Sequence, residues 1–434
     1  MTNSLVKWDA LLQVATISDI GMRRTNNQDN FFVSLASTMD QWQRRGHLFI
    51  VADGMGAHAA GELASKIAVD HIPHLYAKFG GSPAAEALRK AIGDANAEIH
   101  KRGQVNEEFH NMGTTCSSML LMPDGAYCGH VGDSRVYRLR GSRIDQLTFD
   151  HSLVWEMKAA GQVTGKDELD KIPKNVITRS LGPYPEIKVD IEGPFPVELG
   201  DTFLLCSDGL TGQVSDEEIG VILATLEPVA AAQLLVDIAN LRGGPDNITI
   251  IIVKVIAPQL VTSQATGVRK MTSHKGNKPG VHLLSWMALL ISVVLTVLFY
   301  MTQSLQGAII PGAIALVSFV WVLVQLIQSL NASSSTTSPV MRYGKGPYTT
   351  HDCKPDGWQL VGNLKEMISQ MQLAGQSGGW KIDVDSLTNL LNDAEESDSK
   401  KDLKGAIRGF GAVVSFIMEQ LRNNGSSNGI EPTE

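Results

Sequence analysis

Five aspartates stand where apolar runs stop or start. In LFIVADGMG a run of branched residues ends at Asp53-Gly54, and in DTFLLCSDGL another ends at Asp208-Gly209. Asp246-Asn247 precedes ITIIIV, Asp29 in TNNQDNFFV stands just before a short run, and Asp133 lies in a Gly-Asp-Ser-Arg kink inside CGHVGDSRVY. Taken singly, an Asp-Gly pair is an ordinary turn. Five such aspartates together point to a site, because a strand end is a rigid place from which to aim a carboxylate. Carboxylates brought together repel one another unless a cation lies between them. Hard oxygen donors select Mg2+ or Mn2+ over softer metals. The glycine after the aspartate lets the backbone approach closely, so that the Gly54 carbonyl can also face an ion. Two ions a few ångströms apart are a known design for displacement at phosphorus.

The other parts of a phosphate hydrolase are within reach of these aspartates in sequence. Arg24 precedes Asp29 by five residues and can grip phosphate oxygens with its fork. His58, in DGMGAHAAGE, follows the Asp53 turn and is a candidate general acid for the leaving alkoxide. Other phosphate chemistries lack their parts. No cysteine is followed by an arginine at the distance a cysteinyl-phosphate route needs. There is no GxxxxGK[ST] loop, and histidine is sparse in the aspartate motifs.

These residues must be held by a scaffold. Between about residues 8 and 257, HLFIVADG, CSSMLL, AYCGHVGDSRVYRL, DTFLLCSDG and NITIIIVKVI read as strands. GELASKIAVDHIPHLYAKF, SPAAEALRKAIGDANAEIHKR and DEEIGVILATLEPVAAAQLLVDIANLR place apolar residues at helical spacing. That order predicts a layered α/β domain with helices outside the sheets. The net charge of -8 over 434 residues argues against nucleic acid as the main partner. None of the four cysteines forms a CxxC pair, which argues against a zinc ribbon, and three lie in or next to apolar runs, which points to buried thiols in a reducing compartment. The opening MTNSLVKWDALLQ lacks a basic head followed by an apolar core, so no export signal is expected.

Beyond the first domain the composition changes. Residues 258–281 are polar and basic, with Arg269, Lys270, Lys275 and Lys278, and read as a linker. Two uncharged apolar stretches follow, Leu283–Met301 and Ala308–Ile327, each near the ~20 residues that cross a bilayer as a helix. Only TQSLQG separates them, so residues 282–330 are expected to form a transmembrane helical hairpin. Its outer flanks carry the basic residues, including Arg342, Lys345 and Lys354 on the far side, which puts both ends in the cytoplasm. Residues 331–356 read as a second linker. Residues 357–424 read as a small cytoplasmic helical module, with helices over Trp358–Gly375, Val384–Ala394 and Asp402–Leu421 and a charged turn, DAEESDSKKD, between two of them. Residues 425–434 read as a disordered tail. Packing or docking is the expected role of the module, since it carries no catalytic constellation.

The chain from about 14 to 255 resembles the protein phosphatase 2C family of metal-dependent serine/threonine phosphatases, in its compact bacterial form. The matching motifs, in the family's order, are SDIGMRRTNNQDN, VADGMGAHAAGELAS, MGTTCSSMLL, GHVGDSRVYRLR, QLTFDHSLVWEM, ITRSLG, LLCSDGLTGQVSDEEI and GGPDNITIIIV. The resemblance implies an α-β-β-α sandwich of two antiparallel sheets flanked by helices, over residues 1–257. It implies that Asp53, Asp208 and Asp246, with the Gly54 carbonyl, are direct ligands of a dinuclear Mn2+ or Mg2+ centre. Asp29 matches a ligand acting through water, and Asp133 matches an aspartate that shares a third ion with Asp208. Arg24 matches the phosphate-binding arginine, His58 the general acid, and Trp155–Val176 the flap beside the site. Gln28 stands where many members have Glu, which implies an altered metal affinity, and Ala57 replaces a frequent Gly.

The expected function is hydrolysis of phosphoserine and phosphothreonine on proteins at the cytoplasmic face of a membrane. The expected partners are phosphorylated proteins and an opposing serine/threonine kinase. The alternative is a membrane-bound scaffold that binds phosphoproteins with weak or no catalysis; the complete set of aspartates speaks against it. A further alternative makes the hairpin and the tail a regulator of the phosphatase domain.

Overall fold

The structure, a computed structural model, describes residues 8–56, 59–79, 82–163, 172–173, 176–262, 342–354, 356–378 and 382–427, together with Val294, Val297, Leu298 and Phe319. In chain order the strands are β1 (Leu12–Asp19), β2 (Asp29–Ser34), β3 (His47–Met55), β4 (Gly113–Thr114), β5 (Cys116–Met122), β6 (Gly125–Val131), β7 (Arg135–Arg140), β8 (Arg143–Gln146), β9 (Asp190–Phe195), β10 (Thr202–Cys206), β11 (Ile248–Val255) and β12 (Thr349–Asp352). The helices are α1 (Met39–Arg45), α2 (Ala60–Lys78), α3 (Ala84–Val105), α4 (Leu153–Ala159), α5 (Asp208–Thr211), α6 (Asp216–Thr225), α7 (Pro228–Leu241), α8 (Gly357–Gly378), α9 (Val384–Ser399) and α10 (Leu403–Ser427).

The strands form two sheets, ordered β1-β11-β10-β7-β8-β12 and β2-β3-β5-β6-β9, with β4 beside β3. Every pairing is antiparallel. Alternation along the strands builds the layers. On β3, Phe49 and Val51 face the space between the sheets, while Ile50 and Ala52 face α2 and α3. On β11, Ile251 and Val253 point between the sheets, while Ile250 and Ile252 meet the α6–α7 layer. Each of these Phe, Val and Ile side chains contributes roughly 1.5–3 kcal/mol when fully buried. The expected sandwich of two antiparallel sheets between helical layers is therefore present.

Four expectations about individual elements change. The run AYCGHVGDSRVYRL is two strands in different sheets, because the chain crosses from β6 to β7 at Gly132-Asp133. Gly132 has φ +114, and a Cβ there would meet Thr115 Cγ2 at 2.5 Å, so only glycine makes this crossing. The helix expected over DEEIGVILATLEPVAAAQLLVDIANLR breaks at Leu226–Glu227, where Pro228 opens a new helix at its first position. The charged stretch DAEESDSKKD is mostly helical, since α9 runs to Ser399. Asp383 caps its start, and an i,i+4 Glu396–Lys400 pair supports its end. Helix α10 runs three residues into the expected disordered tail, to Ser427, and residues 428–434 lie outside the described residues.

The segment expected as a second linker is, from Arg342 on, a strap across the edges of both sheets. Tyr343 exchanges backbone hydrogen bonds with Gly193 of β9, at 2.6 and 3.1 Å. Gly346 N–H and Tyr348 OH donate to Glu192 at 2.9 and 2.6 Å, and β12 then pairs with β8. Helices α8 and α10 pack on α6 and α7, and α9 packs on α10, burying Leu360, Leu364, Phe410 and Val414 in one cluster with Leu234 and Ile238. Arg422 pairs with the buried Asp237 of α7 at 2.5 Å. Residues 1–265 and 342–434 thus form one compact unit, and the helical module is part of the same body as the sandwich rather than a separate one. The second unit is Thr266–Met341, and the expected hairpin over 282–330 lies outside the described residues apart from four positions. Among the described residues no helix is long and apolar enough to cross a membrane.

Candidate metal centre

The five aspartates meet at one end of the sandwich. Asp29, the first residue of β2, lies opposite Asp53 of β3 in the antiparallel register. Asp208 begins α5 just after β10, and Asp246 sits in the turn before β11, the neighbour of β10. Asp133 stands at the crossing between the sheets. Hydrogen bonds lock these turns together. Ser207 Oγ donates to Asp29 Oδ2 at 2.7 Å, and Asp53 N–H donates to Thr115 Oγ1 at 2.9 Å. Asn247 Oδ1 accepts from Gln28 N–H at 2.9 Å, while its amide donates to the Ile20 and Asn26 carbonyls. A Cβ on Gly54 would meet the Gly61 carbonyl oxygen at 2.1 Å, so the backbone beside Asp53 packs as only glycine allows.

The electrostatics mark a site strained by like charge. Burial, then the neighbouring Asp208 and Asp246, outweigh the Ser207 hydrogen bond and push Asp29 up to about 7. Burial and the charge of Asp208 push Asp133 up to about 8. Asp53 is held well above the usual carboxylate range by burial and by Asp29, Asp208, Asp133 and Asp246 around it. Burial and Asp246 raise Asp208, whose carboxyl lies in hydrogen-bonding reach of Asp53. The buried oxygens Asp29 Oδ1, Asp133 Oδ1 and Asp208 Oδ1 have no hydrogen-bond partner. Among the described residues no three acidic or imidazole groups converge as a finished cage. The donor chemistry nonetheless fits a hard divalent cation, which would satisfy the orphaned oxygens and offset the repulsion at once.

Of the expected catalytic pair, Arg24 is at the rim, with Nη2 on Asp246 Oδ2 at 2.7 Å and Nε on the Pro245 carbonyl at 3.4 Å. His58 lies outside the described residues. Gln28 turns its amide toward the Gly56 carbonyl, at 3.4 Å.

Comparison with known proteins bears on this arrangement. The sequence profile of the family described as Protein phosphatase 2C matches residues 22–238. The chain belongs to the protein phosphatase 2C family. It is a protein serine/threonine phosphatase and metal-dependent. The phosphatase is 38% identical over 248 residues to the protein phosphatase PhpP of Streptococcus pneumoniae, covering 56% of this chain and 97% of that one. It is 35% identical over 242 residues to the serine/threonine phosphatase stp of Listeria monocytogenes, covering 55% and 93%. Among solved structures, the Mycobacterium tuberculosis serine/threonine phosphatase PstP/Ppp superposes with a TM-score of 0.51 at 32% identity, over 57% of this chain and 99% of that one. Asp246 lies beyond the profile match, and the hydrogen bonds at Asn247 are what bring it to the cluster in the phosphatase.

Sequence reading missed the residues that hold the aspartates: Ser207, Thr115 and Asn247. Each lies inside a quoted motif, next to an aspartate or on the strand facing one, but a single sequence does not say which turns meet.

Proposed function

We propose that the phosphatase hydrolyses phosphoserine and phosphothreonine on proteins at a dinuclear Mn2+ or Mg2+ centre. Asp53, Asp208 and Asp246, with the Gly54 carbonyl, would hold the two ions directly. Asp29 would act through water, and Asp133 with Asp208 would hold a third. The observation that carries this reading is the buried, mutually repelling aspartate cluster with its orphaned oxygens. Bound there, the ions would supply the charge that polarises a phosphoryl oxygen and lowers the pKa of a water. Arg24 at the rim is placed to grip phosphate oxygens by exchanging its contact with Asp246. His58, next to the Asp53 turn in sequence, is assigned the general acid.

The location we propose is the cytoplasmic face of a membrane, held by a helical hairpin over 282–330. The support is the pair of uncharged apolar runs with basic residues only on their outer flanks. A serine/threonine kinase of opposite action is the expected partner. The deciding experiment uses the full chain and measures hydrolysis of p-nitrophenyl phosphate and a phosphothreonine peptide with Mn2+, Mg2+ or EDTA, beside Asp208→Asn. Turnover that needs metal and vanishes in the variant is expected. Turnover that survives EDTA would overturn the dinuclear reading. Protease protection of the membrane-associated chain tests the location: both flanks of the hairpin should be cut from the cytoplasmic side.

A further inference from the structure

One buried histidine outside the aspartate cluster is wired to the crossing that carries Asp133. His151 is fully buried. Its Nδ1 accepts a hydrogen bond from Gly132 N–H at 3.0 Å, and its own backbone N–H donates to the Gly132 carbonyl at 2.8 Å. Both sides of the Gly132 peptide frame are therefore held by one residue. Because Nδ1 accepts, the ring proton is on Nε2, which faces Asp190 Oδ2 at 2.9 Å and donates to it. Arg179 Nη1 lies 2.9 Å from the same Nε2 and 3.1 Å from Asp190 Oδ1. With the proton on Nε2, the guanidinium serves Asp190. Without Asp190 it would donate to Nε2, drive the proton to Nδ1, and set two N–H groups facing each other at Gly132. On the far side of Asp133, Thr115 Oγ1 is 2.7 Å from Ser134 Oγ, and Ser117 Oγ donates to the Ser134 carbonyl at 2.7 Å. Asp133 is thus clamped before and after, while its own Oδ1 is left without a partner.

We propose that His151, fixed in one tautomer by Asp190, is a positioning residue that aims the Asp133 carboxylate at a divalent cation. It touches neither substrate nor cation and acts only through the Gly132–Asp133 backbone. This rests on the metal role assigned to Asp133 above.

The test counts Mn2+ ions bound to the full chain by calorimetric titration, for wild type, Asp133→Asn, His151→Ala, Asp190→Ala and His151→Asn. Circular dichroism and melting establish that each variant is folded. The asparagine at 151 matters because its side-chain oxygen can occupy the place of Nδ1 and accept from Gly132. Asp133→Asn, His151→Ala and Asp190→Ala should weaken the same ion, about 10–100-fold for the two that act indirectly, with the remaining ions unchanged. His151→Asn should restore it. A His151→Ala chain that binds every ion as wild type does, while Asp133→Asn loses one, would overturn the positioning role alone. Loss of all ions in every position-151 variant, Asn included, would overturn it in favour of a purely structural role. An Asp133→Asn chain that binds like wild type would instead sink the metal reading of Asp133.

Discussion

Asp29 and Asp133, near 7 and 8, hold protons in the folded chain over a range where an unfolded chain has lost them. Raised carboxyl values mean that this stability is complete below the ordinary value of 3.8 and drains away as pH climbs through 7 and 8. With EDTA present, the melting temperature should fall between about pH 6.5 and about pH 8, above the range in which the buried His47 and His130, pushed down by burial to about 4 and about 3, act in the opposite sense. Added Mn2+ should flatten that slope and release protons on binding. A melting temperature that rises with pH in EDTA would refute the account. Ser207→Ala removes the hydroxyl on Asp29 and should lower Mn2+ affinity about 10–100-fold, read by titration. The aspartates themselves were legible because each ends or begins an apolar run. Their supports were not. Whether Ser207 meets Asp29, 178 residues away, is decided by how two sheets stack.

At the scale of elements, strands and helices with strong periodicity were legible, and the misreadings have physical causes. AYCGHVGDSRVYRL has apolar residues on both sides of its Gly-Asp-Ser-Arg kink, and a single sequence does not tell a kink within one strand from the glycine crossing at 132 that splits the run between sheets. The strand TTHD of β12 lacks an apolar face, with alternating half-buried and exposed residues, so its pairing was invisible. Its neighbourhood holds a buried carboxylate, Glu192, which is 3% exposed and bonded to the strap. Tyr348→Phe should therefore cost about 1–3 kcal/mol in urea unfolding, since it strips a donor from a buried charge. Replacing Glu192 by Gln in the same chain should recover part of that loss. No change on Tyr348→Phe would mean that Glu192 finds its donors elsewhere.

For the whole molecule, the length of the curated relatives corresponds to little more than half of this chain. The remainder is not simply appended, because α8 and α10 cover the outer face of α6 and α7. A chain ending at 262 should melt lower than the full chain and scatter light, having bared that apolar face and left Asp237 without Arg422. Equal melting temperatures would show the tail to be dispensable for stability. The strap has a last consequence, for the order in which the chain is made. Thr350 joins Asp145 across 205 residues. At the pace of a ribosome, roughly 5–20 residues per second, β8 leaves the exit tunnel ~10–40 s before β12 does. Throughout that interval a sheet edge of the nascent chain is uncovered, open to strands of other chains emerging nearby on the same message.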